Sequence, residues 1–135
     1  MRRLLLAAAL SVAGLANAIP VSGFTDEFAA ANWTQSPGTG SIDITGAPNS
    51  ISLSSGSDDS GDDSFTNFYI KFLVGATVSF SWAYRTSDSG GPFFDPFGYV
   101  LADDATGLNA SFAQLTEDSG ANAQSGSALV FVQAG

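Results

Sequence analysis

Cysteine and histidine are both absent from this 135-residue chain, and basic side chains number only four. Without cysteine there is neither a disulfide framework nor a thiol nucleophile. Without histidine as well, the usual nitrogen and sulfur donors of a zinc site are missing. A serine nucleophile would have to use Lys71 as its base, and Lys71 falls in the middle of a predicted strand. Thirteen acidic residues against four basic ones set the net charge at −9. Such a surface repels phosphate backbones and anionic lipid, which disfavours nucleic acid and membrane surfaces as partners. Calcium, basic proteins and neutral glycans remain compatible with it. Also lacking is an apolar run long enough to span a bilayer, which takes about 20 residues.

The apolar run that does exist, Leu4 to Leu15, follows Arg2 and Arg3 and is closed by Ala16-Asn17-Ala18. A basic start, a short apolar middle and a small-residue exit make a secretory signal peptide, with cleavage expected after Ala18. A buried N-terminal helix is the competing reading of the same run. The residues around the paired arginines fit the twin-arginine pattern poorly, so the general secretory route is expected. The organisation predicted is a leader over residues 1–18 and a single domain over residues 19–135, secreted to the extracellular space or the cell surface. All thirteen acidic residues fall in that domain beside only two basic ones, Lys71 and Arg85, a mature charge of −11. Eleven Phe, two Trp and three Tyr can fill a core there.

Helical signals are scarce, whereas Gly, Ser, Asp, Asn and Thr punctuate the domain every eight to twelve residues or so, the spacing of an all-β sandwich or barrel. The fold class predicted is all-β, an antiparallel β-sandwich of jelly-roll type. Its clearest strand is Val78 to Tyr84, where Val78, Phe80, Trp82 and Tyr84 alternate with Ser79, Ser81 and Ala83. Upstream, Phe68, Ile70, Phe72 and Val74 share one face, with Tyr69, Lys71 and Leu73 on the other. Gly75-Ala76 links these two runs, which predicts a hairpin between them. Ser41 to Thr45 with Ser50 to Ser54, and Gly98 to Ala102 with Ala110 to Thr116, are two further predicted pairs. Ala128 to Val132 is apolar on both faces, as in a strand buried between layers. Phe24 to Trp33 reads either as a helical turn around Glu27 to Ala31 or as an irregular strand. The chain stops at Gly135 directly after an apolar strand, and one or two closing strands are expected to be missing.

Three loops could carry chemistry. Ser55 to Ser64 contains Asp58, Asp59, Asp62 and Asp63, a carboxylate density that attracts calcium, although no Glu follows at the bidentate position of a helix-flanked calcium loop. The plainer reading is a solvated hairpin loop. Asp88 to Tyr99 packs Phe93, Phe94 and Phe97 between Pro92 and Pro96, whose fixed φ stiffens the loop and holds Asp95 in one orientation. Functionally, Asp88, Phe93, Phe94 and Asp95 form a candidate ligand site, either a calcium ligand set or an aromatic platform for a sugar ring. Structurally, the same loop is a plug, its phenylalanines covering one end of the sandwich while Asp95 caps backbone N–H groups. The third is Asp103-Asp104 with Glu117-Asp118, at opposite ends of one predicted hairpin's strands and so unsuited to the paired-carboxylate geometry of a glycosidase. Asn32-Trp33-Thr34 and Asn109-Ala110-Ser111 match the N-glycosylation pattern, most simply by chance in a Ser/Thr-rich chain.

Five stretches carry a family resemblance, in order: Phe28 to Thr34, Gly46 to Ile51, Val78 to Tyr84, Gly91-Pro92-Phe93-Phe94-Asp95-Pro96-Phe97-Gly98-Tyr99, and Phe112 to Thr116, with Gln124 to Ser127 also fitting. Together they resemble the exported β-rich domains of bacterial proteins bearing the PEP-CTERM sorting signal. The resemblance implies a secreted or surface-attached protein associated with exopolysaccharide and biofilm, and transfers no catalytic residues. The sorting tail, a Pro-Glu-Pro motif with a membrane helix and basic residues, does not occur in this sequence. The expectation is a non-catalytic surface or extracellular-matrix module contacting extracellular polysaccharide or other surface proteins. A calcium-stabilised structural sandwich and a carboxylate-based glycan-active enzyme are the alternatives.

Overall fold

A computed structural model describes residues 20–56, 64–102 and 110–135. The signal-peptide cleavage after Ala18, the carboxylates Asp58, Asp59, Asp62 and Asp63, the pair Asp103-Asp104 and the site at Asn109 lie outside the described residues. The described chain is mostly β. It holds eight strands: β1 (Thr34–Ser36), β2 (Ser41–Asp43), β3 (Ser52–Ser54), β4 (Asn67–Tyr69), β5 (Ala76–Arg85), β6 (Gly98–Leu101), β7 (Ser111–Gln114) and β8 (Ala123–Val132). These form four antiparallel two-stranded ladders, β1–β4, β2–β3, β5–β8 and β6–β7. Among the described residues there is no α-helix and no closed barrel, and no helix is long and apolar enough to cross a membrane.

β5 follows from its sequence. Its odd-even alternation of large apolar and small polar residues gives alternating exposure along all ten positions, with Val78, Phe80, Trp82 and Tyr84 on the sheltered side. β8 pairs with it in unbroken register, setting Val78 against Val130, Phe80 against Ala128, Trp82 against Gly126 and Tyr84 against Gln124. Phe80 and Trp82 thus face the small Ala128 and Gly126 across the inner face, and the Trp82 ring lies over Gly126. Such cross-strand pairs contribute roughly 0.2–1 kcal/mol each.

The predicted hairpin between Phe68–Val74 and Val78–Tyr84 does not form. β4 pairs instead with β1, setting Gln35 against Phe68, and β5 takes β8. Two-residue hairpin turns need a positive φ in the link, and Gly75 does not adopt one. Exposure still alternates through this run, with Phe68, Ile70 and Phe72 half-buried and Tyr69, Lys71 and Leu73 exposed, but Val74 is also exposed. Ala128 to Val132 also differs from expectation. Val130 is buried, whereas Leu129 and Phe131 face outwards, so one side of β8 meets solvent. The other two predicted pairs are present as β2–β3 and β6–β7.

Phe24 to Trp33 takes the helical alternative in its tighter form, as two 3₁₀ turns at Asp26–Phe28 and Ala30–Asn32. The Asn32 amide donates to the Asp26 and Glu27 carbonyls, and Trp33 Nε1 donates to the Phe28 carbonyl at 3.0 Å. Asn32 is therefore engaged in local structure. These turns deliver Phe24 and Trp33 onto β4, where Trp33 stacks on Phe68 at 4.9 Å and Phe24 meets both rings edge-on. Phe28 packs on Phe72 at 5.3 Å. A second aromatic cluster joins β5 to β6 through Phe80 against Tyr99, and to the residue before β6 through Trp82 against Phe97. Pairs of this kind add about 0.5–1.5 kcal/mol beyond area burial.

Candidate functional site

Ladder direction decides which loops meet. Arg85 at the end of β5 opposes Ala123 at the start of β8, and Gly98 at the start of β6 opposes Gln114 at the end of β7. The loop 86–97 and the turn 115–122 therefore emerge at the same end of these ladders. Asn122 ties them together: its carbonyl accepts from Thr86 N at 2.9 Å, and its side-chain amide donates to the Asp88 carbonyl at 3.4 Å.

Within the loop, Thr86 is the organising side chain. Its hydroxyl donates to Asp95 Oδ2 at 2.8 Å and accepts from Asp88 N at 3.0 Å. Asp88 Oδ1 in turn accepts from Gly90 N at 2.6 Å, closing an Asx turn. The backbone then passes through Gly91 at φ 67°, a left-handed conformation that favours glycine, into a 3₁₀ turn over Gly91–Phe93. Pro92 is fully buried and anchors this turn. At the exit, Thr116 is buried and its hydroxyl accepts from Phe97 N at 3.0 Å. The loop is thus fastened at both ends and in the middle.

Its two central rings are not fastened into a core. Phe93 is 60% exposed and Phe94 67% exposed, and they meet edge-to-face at 5.0 Å. The exposure of both rings is at odds with reading them as a plug. Phe97, by contrast, is half-buried against Trp82. The capping role expected of Asp95 belongs to Asp88, because Asp95 is engaged by the Thr86 hydroxyl instead. Asp88, Phe93, Phe94 and Asp95 thus all lie on this one loop, the two carboxylate residues joined through Thr86 and the two rings meeting each other. Thr86 and Asn122, which hold the loop, are not among the residues the sequence singles out. The short Thr86-Ser87-Asp88 spacing, typical of side-chain-to-backbone turns, signals the first, while nothing local signals the second.

Tyr84 lies beneath this loop. Its hydroxyl is buried without a hydrogen-bond partner among the described residues. Burial raises its pKa above the ordinary 10.0, Asp95 and Asp88 add to the rise, and the neighbouring Thr86 hydroxyl opposes it. The adjoining turn carries Glu117 and Asp118. Gln124 binds Glu117 through both its amide atoms, accepting from Glu117 N at 2.9 Å and donating to Glu117 O at 3.0 Å. Asp118 accepts from the Gln114 amide.

Among the described residues, no group of three or more acidic, cysteine or histidine side chains converges as a metal site would require. Two hollows in the described surface lie away from this loop. One of about 400 Å³ is a shallow depression over Ser79, Ser81, Ser127 and Leu129, and one of about 360 Å³ opens between Leu101 and the chain following Phe131. Neither is lined by Asp88, Phe93, Phe94 or Asp95. The chain matches no protein-family description, no curated protein and no solved structure.

Proposed function

We propose that this chain is an exported, non-catalytic module that contacts extracellular polysaccharide through the Phe93–Phe94 loop. The observation that carries the reading is a pair of solvent-facing aromatic rings held on a stiff loop. Burying an exposed phenylalanine is favourable, and two left in water on a backbone that cannot collapse supply a ready contact surface for the C–H face of a sugar. Asp88 and Asp95 beside them offer acceptors for sugar hydroxyls. The mature charge of −11 suits neutral over anionic glycans. The basic-apolar-small pattern of residues 1–18 supports export, and the likeness to PEP-CTERM-bearing exported domains supports a place at the cell surface or in biofilm matrix. In this reading the ladders belong to an antiparallel sandwich of jelly-roll type, with the binding loop at one end.

Retention on immobilised polysaccharide from the producing cells tests the proposal. Phe94→Ala should release the protein earlier than the parent, and Asp95→Ala should do so to a smaller degree. Unchanged retention of Phe94→Ala and of a Phe93→Ala, Phe94→Ala double variant would remove the loop as the contact.

A further inference from the structure

The loop that carries Phe93 and Phe94 is poor in free hydrogen-bond donors. Pro92 and Pro96 have no N–H, and the N–H groups of Thr86, Asp88, Gly90, Gly91, Phe94 and Phe97 already donate within the protein. The Thr86 hydroxyl gives its proton to Asp95, so Ser87 and Ser89 are the loop's remaining side-chain donors. Acceptors are better supplied. Asp88 spends Oδ1 on Gly90 N, and Asp95 spends Oδ2 on the Thr86 hydroxyl. Among the described residues the second oxygen of each carboxylate has no hydrogen bond, and Asp88 is exposed.

Gly90 brings carboxylate and ring to one place. It is itself exposed, and a Cβ on it would run into the Phe94 ring and stand 3.2 Å from Asp88 Oδ1. Space alone imposes the glycine, since its φ of −84° is open to any residue. The bare α-carbon thus lets the Phe94 ring lie beside the Asp88 carboxylate, and Phe93 meets Phe94 edge-on at 5.0 Å.

We propose that the group this loop selects is the protonated amine of an amino sugar, a choice that rests on the reading of the loop as a polysaccharide contact and specifies which sugar. An ammonium is purely a donor and needs acceptors alone. Hydroxyl and acetamide groups also present oxygens that need donors, and the loop has few to give. A hydrogen bond to a carboxylate strengthens when the donor is charged, and the aromatic quadrupole attracts the same cation. The mature charge of −11 draws a polycationic chain towards the surface. Arg85, the base adjoining the loop in sequence, projects from the face of β5 opposite to Tyr84, which lies beneath the loop, and so does not occupy the site.

Calorimetric titration of the mature chain with a glucosamine hexasaccharide, its fully N-acetylated counterpart and hexalysine tests this. The glucosamine oligomer should bind, and the N-acetylated one should bind about tenfold more weakly or worse, equivalent to about 1.4 kcal/mol. Asp88→Asn keeps the acceptor for Gly90 N and loses the charge, and should weaken the glucosamine oligomer by a similar factor. Gly90→Ala keeps every charge and both rings but displaces the Phe94 ring from the carboxylate, and should weaken it too. Glu27→Gln removes an exposed charge in the first 3₁₀ turn and should change affinity less than about twofold. All three substituted residues are exposed, so each variant should keep the parent's circular dichroism. Equal affinity for the two sugar oligomers would overturn the proposal and return the loop to neutral sugars. Equal weakening in Glu27→Gln and Asp88→Asn would overturn it in favour of net charge, and equally tight hexalysine binding lost in Asp88→Asn would do so in favour of a basic peptide. If the glucosamine oligomer fails to bind while Phe94→Ala still loses retention on the cell polysaccharide, the amine alone is wrong. If that retention is also unchanged, the polysaccharide contact falls with it.

Discussion

Gly126 lies directly opposite Trp82, and a Cβ there would stand 3.0 Å from the indole ring. The glycine is what lets a half-buried indole lie across the neighbouring strand. Gly126→Ala should therefore lower stability by about 1–3 kcal/mol, the usual cost of overpacking, as read from a urea melt. Tyr84 makes a different prediction. Its folded pKa is raised, so above pH 10 the unfolded chain loses this proton before the folded chain does. The unfolded state then binds fewer protons, and stability falls as pH rises from the unfolded value through the folded one. Tyr84→Phe should remove that part of the alkaline loss and, having no stranded hydroxyl to bury, should cost little at neutral pH. Parallel melts of parent and variant from pH 8 to pH 11 or so check the sign. Asp43 illustrates a shift of the opposite kind: bonds from the Thr45 hydroxyl and Thr45 N hold its carboxylate below the ordinary 3.8.

Strand β5 shows how far pattern reading extends. Its inner face is the one predicted, because a pleated backbone must send successive side chains to opposite sides and four large apolar residues share one parity. The consequence is a paired test by thermal or urea unfolding. Trp82→Ala should cost about 3 kcal/mol, the lower end for a core aromatic since the ring is only partly buried, while Ser81→Ala on the outer side should stay within about 0.5 kcal/mol. The partner of β5 was not legible. Phe68 to Val74 and Ala128 to Val132 carry equally apolar patterns, and proximity in sequence favoured the wrong one. Closure by a turn at Gly75 failed on φ, and β8 supplied ten paired positions in place of seven. The loop after β5 was legible in its stiffness, from Pro92 and Pro96, but not in its outcome. Whether Phe93 and Phe94 point inwards depends on the buried Pro92 and on the Thr86, Asp88 and Asn122 bonds that set the turn, and Asn122 lies far along the chain.

Taken as one charged body, the protein repels itself, with −9 on 135 residues. Screening should relieve that repulsion, so the melting temperature should rise between low salt and about 0.15 M sodium chloride, where the Debye length is about 8 Å. At matched ionic strength calcium should give the same curve. A further rise specific to calcium, abolished by EDTA and lost when Asp58, Asp59, Asp62 and Asp63 are replaced by Asn but not when Asp88 and Asp95 are, would assign a ligand role to the first four. Composition and alternation were enough to rule out disulfides and thiol or imidazole groups in this sequence and to show the β character of its described part, because residue identity and strict alternation act locally and need no partner. Which strand joins which, which loops share an end, and which aromatic rings remain in water were settled only in three dimensions. Those outcomes rest on contacts between residues distant in sequence, such as Trp82 with Gly126 and Thr86 with Asn122, and no local pattern encodes the identity of a distant partner.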